Sequence, residues 1–182
     1  MKSFIIVSLV AVVLVLVVLG SGAYNMAATE KHWAITEKLI TWARENSIRA
    51  RAEELEVPAM DEESMLGRGF VHYDAMCVEC HLAPGKQPTE LAQGLYPQAP
   101  VFHEREPVTG AENKLSLSKK YFWVIKHGIK MTAMPAWGVT HGDESIWRIT
   151  AFIHELHGMT PERYAELVDM HSSHHQYGIH HH

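Results

Sequence analysis

The hydrophobic pattern of the chain begins with a long apolar stretch. From Phe4 to Leu19 a single serine interrupts the apolar residues, and no charged residue follows until Glu30. As a helix, Phe4 to Ala28 would be about 37 Å long, enough to cross the hydrocarbon core of a bilayer. A signal peptide has a shorter apolar core, so we predict an uncleaved transmembrane anchor over residues 1–28. Cleavage at Ser21-Gly22-Ala23 is the alternative.

An amphipathic pattern follows the apolar stretch. Apolar side chains recur at helical spacing at Ile35, Leu39 and Trp42, and charged residues fill most other positions. We expect one helix from Thr29, as its cap, to Glu56, ended by Pro58. A helix with exposed tryptophans needs a surface that covers them. Its apolar face is therefore expected to be partly solvated, or to dock on a membrane surface or a partner subunit.

The rest of the chain alternates helical patterns with one long irregular segment. Between His81 and Ser118 the chain is rich in proline and glycine and has no helical period. A structureless loop of this length is unusual inside a compact domain. Helices are predicted on either side of it, over residues 61–75, 118–128 and 143–157, with a short last helix opened by Thr160 as cap and Pro161 at its first position.

Composition and charge exclude several classes of protein. The 182 residues are 47% hydrophobic and 20% charged, which is not the balance of a disordered chain. The length fits one domain with appendages. The formal net charge is -5 and no basic stripe is present, which argues against nucleic acid as a partner.

The candidate chemistry lies in the sequence CVECH. Cys77 and Cys80 are the only cysteines, and His81 follows directly. C-x-x-C-H is the attachment signature of c-type haem, whose vinyl groups take up the two thiols while the imidazole ligates the iron. A redox dithiol does not need the histidine. Structural zinc needs four ligands, and the chain has no second cysteine pair to supply them. One covalent haem is therefore expected, and the irregular segment would wrap it.

Four motifs together resemble a class I cytochrome c over about Asp61 to Gly158. They are CVECH, the later GIKMTAMPAWG, a glycine and a tyrosine ahead of the cysteines, and the terminal helix IWRITAFIHEL. The resemblance implies a mainly α fold, with three to five helices around one covalent haem, here preceded by a transmembrane and an amphipathic helix. It also implies that the first and last helices cross, with Gly69 and Tyr73 meeting Ile149 and Phe152.

The resemblance further implies the ligands of the iron. The family places its second ligand in an M-P-x-x-G context, which Met134 fits and Met131 does not. Methionine opposite histidine is the ligand pair of cytochromes c. The implied cofactor-binding residues are Cys77, Cys80, His81 and Met134, of which His81 and Met134 bind the iron.

Several neighbouring residues have alternative roles. Met131 would be core filler, and His127 and His141 are rival ligands in a bis-histidine arrangement. The imidazole of His81 should donate its second ring N–H to a proline carbonyl, either that of Pro97 or that of Pro100. Where the family often has glycine after the haem histidine, this chain has Leu82, whose bulk would shield the haem edge.

With both axial positions filled, no substrate reaches the iron, so we expect an electron carrier and not an enzyme. Attachment of c-type haem takes place on the outer side of an energy-transducing membrane. We therefore expect a single-pass protein of the bacterial inner membrane, with Lys2 inside and the haem domain in the periplasm. Its partners would be a redox donor and a redox acceptor. It is either a carrier or a fixed subunit of a larger redox complex, docked through residues 29–56, in a respiratory or similar chain.

The predicted organisation has four parts. These are an anchor over residues 1–28, an amphipathic helix and linker over 29–60, a haem domain over 61–159, and a short helix with a histidine-rich tail over 160–182.

A histidine-rich tract can bind metal or be an expression tag. Two functions of other classes follow: a metal-handling protein that works through this tail, and a haem-based ligand sensor from which Met134 dissociates readily. The tail histidines are His171, His174, His175, His180, His181 and His182.

Overall fold

The computed structural model describes residues 1–58 and 62–177, and within these ranges it contains helices and no strand. The mainly α class is confirmed. The α-helices are α1 (Lys2–Gly20), α2 (Ala34–Ala52), α3 (Glu62–Met76), α4 (Val78–His81), α5 (Glu90–Gln93), α6 (Ala111–His127), α7 (Asp143–Leu156) and α8 (Pro161–Tyr177). Two 3-10 turns lie at Phe102–Glu104 and Trp137–Val139.

Helix α1 is the apolar stretch at the start of the chain. Its 19 residues have a mean hydropathy of 3.1 and are about 28 Å long, close to the thickness of a hydrocarbon core. By length and composition it is compatible with membrane anchoring. The helix ends at Gly20 instead of continuing to Ala28, because the chain turns at Gly22, which has a φ of 74°.

Helix α2 is shorter than the predicted Thr29 to Glu56. It begins after Trp33, which occupies the N-cap position without a capping side chain, so Thr29 is not the cap. Its last turns pack on α6, where Ile48 and Ala52 are buried. The last turns of the amphipathic helix therefore pack against the predicted haem domain, a contact that its own periodicity did not reveal.

The crossing of α3 and α7 is the most extensive helix contact in the described chain. Gly69 permits it: a Cβ there would lie 2.9 Å from the Cβ of Phe152 and would overlap the carbonyl of Arg148. The ring of Tyr73 lies 5.5 Å from that of Phe152. The crossing agrees with the family pattern. Helix α7 presents its apolar stripe to the core through Ile146, Ile149, Phe152, Ile153 and Leu156, all buried.

Helices α6 and α8 extend further than the sequence indicated. Helix α6 begins at Ala111 and not at Ser118, which is buried in its middle and donates its hydroxyl to the Lys114 carbonyl at 2.8 Å. Helix α8 begins at Pro161 as predicted, with the Thr160 hydroxyl accepting from Arg163 N at 3.3 Å. It is long because its first turns pack on the core through Tyr164, Leu167 and Val168.

Candidate haem-binding site

The CVECH sequence folds into one helical turn. The carbonyl of Cys77 accepts from the backbone N–H of Cys80 at 3.2 Å and from that of His81 at 2.8 Å. Residues three and four positions apart lie on the same face of a helix. The two sulfur atoms and the imidazole therefore project from one side of α4.

Cys77 and Cys80 do not form a disulfide with each other. Burial, and then the neighbouring Cys80, raise the pKa of Cys77 to about 12. Burial and then Glu79 raise the pKa of Cys80. Reactive dithiols and zinc ligands need an accessible thiolate, which a lowered pKa provides. Burial of these thiols is therefore not the environment that activates a redox dithiol.

The imidazole of His81 has a fixed orientation. Its Nδ1 lies 2.9 Å from the carbonyl oxygen of Pro100, so Pro100 and not Pro97 is the acceptor. Because a carbonyl can only accept, Nδ1 carries the proton and the Nε2 lone pair is left for a metal. The ring of Phe102 stacks on the imidazole at 4.8 Å. Burial is the main cause that lowers the pKa of His81, and Arg105 lowers it further, against the hydrogen bond to Pro100.

The residue after His81 adopts an unusual conformation. Leu82 has a φ of 61° and a ψ of 174°, a region that glycine normally occupies and that costs other residues about 1–3 kcal/mol. The hydroxyl of buried Tyr73 donates to the Leu82 carbonyl at 2.8 Å and holds the chain there. This explains why the family often has glycine at the position.

Met134 lies in a loop closed by its own hydrogen bonds. Its carbonyl accepts from Ile129 N at 3.2 Å, and its N–H donates to the Thr132 hydroxyl at 3.1 Å. Gly128, with a φ of 65°, enables this closure, since a Cβ there would lie 2.7 Å from the Met134 carbonyl oxygen. Met134 is half-buried and packs against the same core cluster as Cys77.

The surroundings of Met134 differ from those of the residues that competed with it in the sequence, namely Met131, His127 and His141. Met131 is 86% exposed, so the prediction that it fills the core is wrong; it sits at a turn with a φ of 61°, which turns it outward. His127 is exposed at the end of α6, 5.0 Å from the ring of Trp123. His141 packs 5.5 Å from the ring of His72.

Residues 65–153 match the family model described as cytochrome c oxidase, cbb3-type, subunit III. The matched range contains the CVECH turn, the Met134 loop and most of α7. This part of the chain is a class I c-type cytochrome domain. The domain transfers electrons by means of a c-type haem. Comparison with curated proteins and with solved structures gave no match.

The cytochrome also has polar groups around Phe102, the ring that stacks on His81, which the sequence did not indicate. Arg105 lies over the ring of Phe102, with 5.4 Å between its guanidinium carbon and the ring centroid, and donates to the Tyr121 hydroxyl at 2.9 Å. The Tyr121 hydroxyl is also hydrogen-bonded to His157 Nε2 at 3.1 Å. Within the described ranges the Nδ1 of His157 is buried without a partner. A guanidinium and a buried, unpartnered ring nitrogen suit carboxylates such as the haem propionates, so Arg105 and His157 fit the cofactor.

The histidine-rich tail continues α8 as far as Tyr177, and residues 178–182 lie outside the described residues. His171 is the one tail histidine with a described side chain. Its Nδ1 donates to the Leu167 carbonyl at 2.9 Å, and its ring lies 4.9 Å from that of Phe70. His180, His181 and His182 lie outside the described residues, and within those residues no cluster of possible metal ligands occurs.

Proposed function

We propose that this cytochrome carries electrons through one haem c, attached at Cys77 and Cys80 and ligated by His81 and Met134. The observation that supports this proposal most directly is the arrangement of the two thiols and the imidazole at α4. Both thiols share one helical face with an imidazole whose Nδ1–H is donated to Pro100. That arrangement presents Nε2 as a metal ligand at the spacing that haem attachment requires.

The protein's contribution is to hold the two donors still. The haem iron supplies a one-electron Fe(III)/Fe(II) couple when bound, and a methionine ligand raises its potential relative to bis-histidine ligation. Pro100 and Phe102 fix the ring of His81. Thr132 and Ile129 fix the backbone of Met134. These contacts fix the ring of His81 and the backbone from which the Met134 side chain extends.

A redox partner would dock over the Met134 loop. Met131 and Val139, on either side of Met134, are 86% and 84% exposed. Exposed apolar side chains next to a buried ligand offer a small contact surface of the kind that transient redox complexes use. Electrons would then pass between the partner and the haem at this side of the domain.

The cytochrome is proposed to work on the outer, periplasmic face of the bacterial inner membrane, with α1 as its anchor. Helix α1 has the length and hydropathy of a single span. Lys2, ahead of the span, favours an N-terminus inside and a haem domain outside. This placement agrees with the export that covalent haem attachment requires.

A second candidate role is that of a fixed haem subunit in a membrane oxidase complex. The description of the matched family as an oxidase subunit supports it. In that role the chain relays electrons and another subunit performs the chemistry. Extraction in mild detergent distinguishes the two roles, because a fixed subunit brings other chains with it and a carrier is isolated alone.

Acid–acetone extraction of the membrane-purified cytochrome tests the proposal. The haem should stay with the polypeptide, and intact mass spectrometry should show one haem per chain. Haem that enters the organic phase, or a mass without haem, would refute attachment at Cys77 and Cys80. Carbon monoxide added to the reduced protein tests the ligand-sensor alternative. Ready binding would favour a sensor, and an unchanged spectrum favours stable ligation by Met134.

A further inference from the structure

The first turns of α2 carry an uncovered apolar face. Ile35, Leu39 and Trp42 follow one another at helical spacing and are 73%, 61% and 66% exposed. Trp33, directly ahead of the helix, is 53% exposed. We call these four residues the α2 apolar face. A cluster of exposed large apolar residues of this kind marks a contact with lipid or with another protein.

The start of the α2 apolar face contacts the connector that follows the apolar helix α1. The ring of Tyr24 contacts that of Trp33 edge-on at 4.8 Å, and its hydroxyl is hydrogen-bonded to His32 Nδ1 at 2.7 Å. Tyr24 follows Gly20 by four residues, at most about 14 Å of extended chain. The connector therefore folds back, and the beginning of α2 is held close to the end of α1.

The other end of α2 is fixed to the haem domain. Ile48 and Ala52 are buried against α6, and Lys119 donates to the Glu53 carbonyl at 3.2 Å. The connector is tied to the same domain, because His32 N donates to the Tyr96 hydroxyl at 2.9 Å. With both ends held, the α2 apolar face stays uncovered by the residues that the structure describes.

We propose that the α2 apolar face lies in the interfacial layer of the membrane that α1 crosses. This inference rests on the proposed anchoring by α1. Tyr24 and Trp33 form an aromatic pair just beyond the span, and such residues favour the headgroup level. An amphipathic helix that starts at that level buries its apolar side chains among the lipids.

Lipid fits this position better than a partner helix does. The Tyr24–Trp33 contact holds the first turn of α2 near the end of α1, which on the proposed anchoring would lie at the boundary of the bilayer. The α2 apolar face mixes two tryptophans with two aliphatic residues, a composition suited to the headgroup boundary. Since α2 also packs on α6, its insertion would hold the haem domain against the membrane instead of leaving it on a loose tether.

Photo-crosslinking in native membranes tests the placement. The full-length cytochrome would carry p-benzoylphenylalanine in place of Leu39 and, as a matched control, in place of Glu45, which is exposed on a different side of α2. We expect lipid adducts at position 39 in several-fold higher yield than at position 45. An adduct to another polypeptide at position 39, or no adduct there, would overturn the inference. Haem absorption shows that each variant is folded.

The same samples separate failure of this inference from failure of the anchor. Intact mass spectrometry reports whether residues 1–28 remain. An uncleaved chain with a polypeptide adduct at Leu39 would contradict only the lipid placement of α2. A chain that begins near Tyr24 would contradict the anchor and the present inference together, and would leave the haem proposal standing.

Discussion

The Nδ1–H of His81 donates to the carbonyl of Pro100, across 19 residues of sequence, at 2.9 Å. The loop that supplies this carbonyl also carries Tyr96, whose hydroxyl accepts from the backbone of His32. One loop thus contacts both the proposed iron ligand and the connector that follows α1. The orientation of the imidazole and the attachment of the connector to the domain are therefore set by the same short segment.

Replacement of the second proposed ligand should change the spectrum and the potential. Met134→His should abolish the far-red band that reports methionine bound to ferric iron, and should lower the reduction potential, because imidazole stabilises Fe(II) less well than thioether sulfur. Absorption spectroscopy and a redox titration measure the two effects. Met131→Leu is the control and should keep both, since Met131 is 86% exposed. Loss of the band in the Met131 variant would contradict the assignment.

A side chain at Gly128 should disturb the Met134 loop. A Cβ there would lie 2.7 Å from the Met134 carbonyl oxygen, at a φ of 65° that other residues rarely adopt. Gly128→Ala should lower the free energy of unfolding by about 1–3 kcal/mol and weaken the far-red band. Gly94→Ala is the control, because its Cβ would meet its nearest atom at an ordinary 3.6 Å. Equal effects of the two changes in urea unfolding would rule out this role of Gly128.

The backbone conformation of Leu82 predicts an inverted order of stability. Leu82→Gly should be more stable than Leu82→Ala by about 1–2 kcal/mol, because glycine relieves the positive φ of 61° and alanine does not. In the α6 helix the order should be the usual one, with Leu117→Gly less stable than Leu117→Ala by about 1 kcal/mol. Urea unfolding of the four variants compares the two pairs. The same order at both positions would show that Leu82 is not strained.

Acid should destabilise the domain through His154. Burial, then His157 and Lys114, lower the pKa of His154 to about 4, and its Nε2 is hydrogen-bonded to Ser118 at 2.8 Å. The unfolded chain, with a histidine pKa near 6.5, binds the proton first. Its contribution to stability is therefore complete above about pH 6.5 and is lost as the pH falls toward 4.

His154→Gln should reduce this dependence on pH. Unfolding by urea at pH 7 and pH 5 gives the difference for the parent and the variant, and the difference should be smaller in the variant. His127→Gln, at an exposed position, is the control and should resemble the parent. A pH dependence that is the same in all three proteins would show that His154 does not titrate as stated.

The sequence predicted the structure correctly where a feature depends only on residues that are close together in the chain. The CVECH turn and the Gly128 helix end lie where their local patterns indicated. The choice between Pro97 and Pro100 was not readable, because it depends on the path of a loop held by distant contacts such as that of His32 with Tyr96. The stacking of Phe102 on His81 had no sequence signal for the same reason.

Two predictions were wrong because a residue's type does not report its backbone conformation. Met131 is apolar, yet its positive φ turns it outward, and no spacing rule reports a backbone angle. Helix α6 begins at Ala111 because residues ahead of Ser118 continue the helix, although a serine there suggested a cap. The ligand roles of His81 and Met134 stay predictions, which the Met134 experiment tests.

The membrane anchor gives the last prediction. Carbonate or high salt should leave the full-length cytochrome in the membrane pellet, because α1 buries apolar side chains and is not attached by charge. A chain lacking residues 1–28, exported by a cleavable signal, should retain its haem and should be released by carbonate. The α2 apolar face would hold that shortened chain weakly, so it should partition partly to membranes at neutral pH and leave them at high pH. A native N-terminus at Tyr24 would instead identify α1 as a cleaved signal.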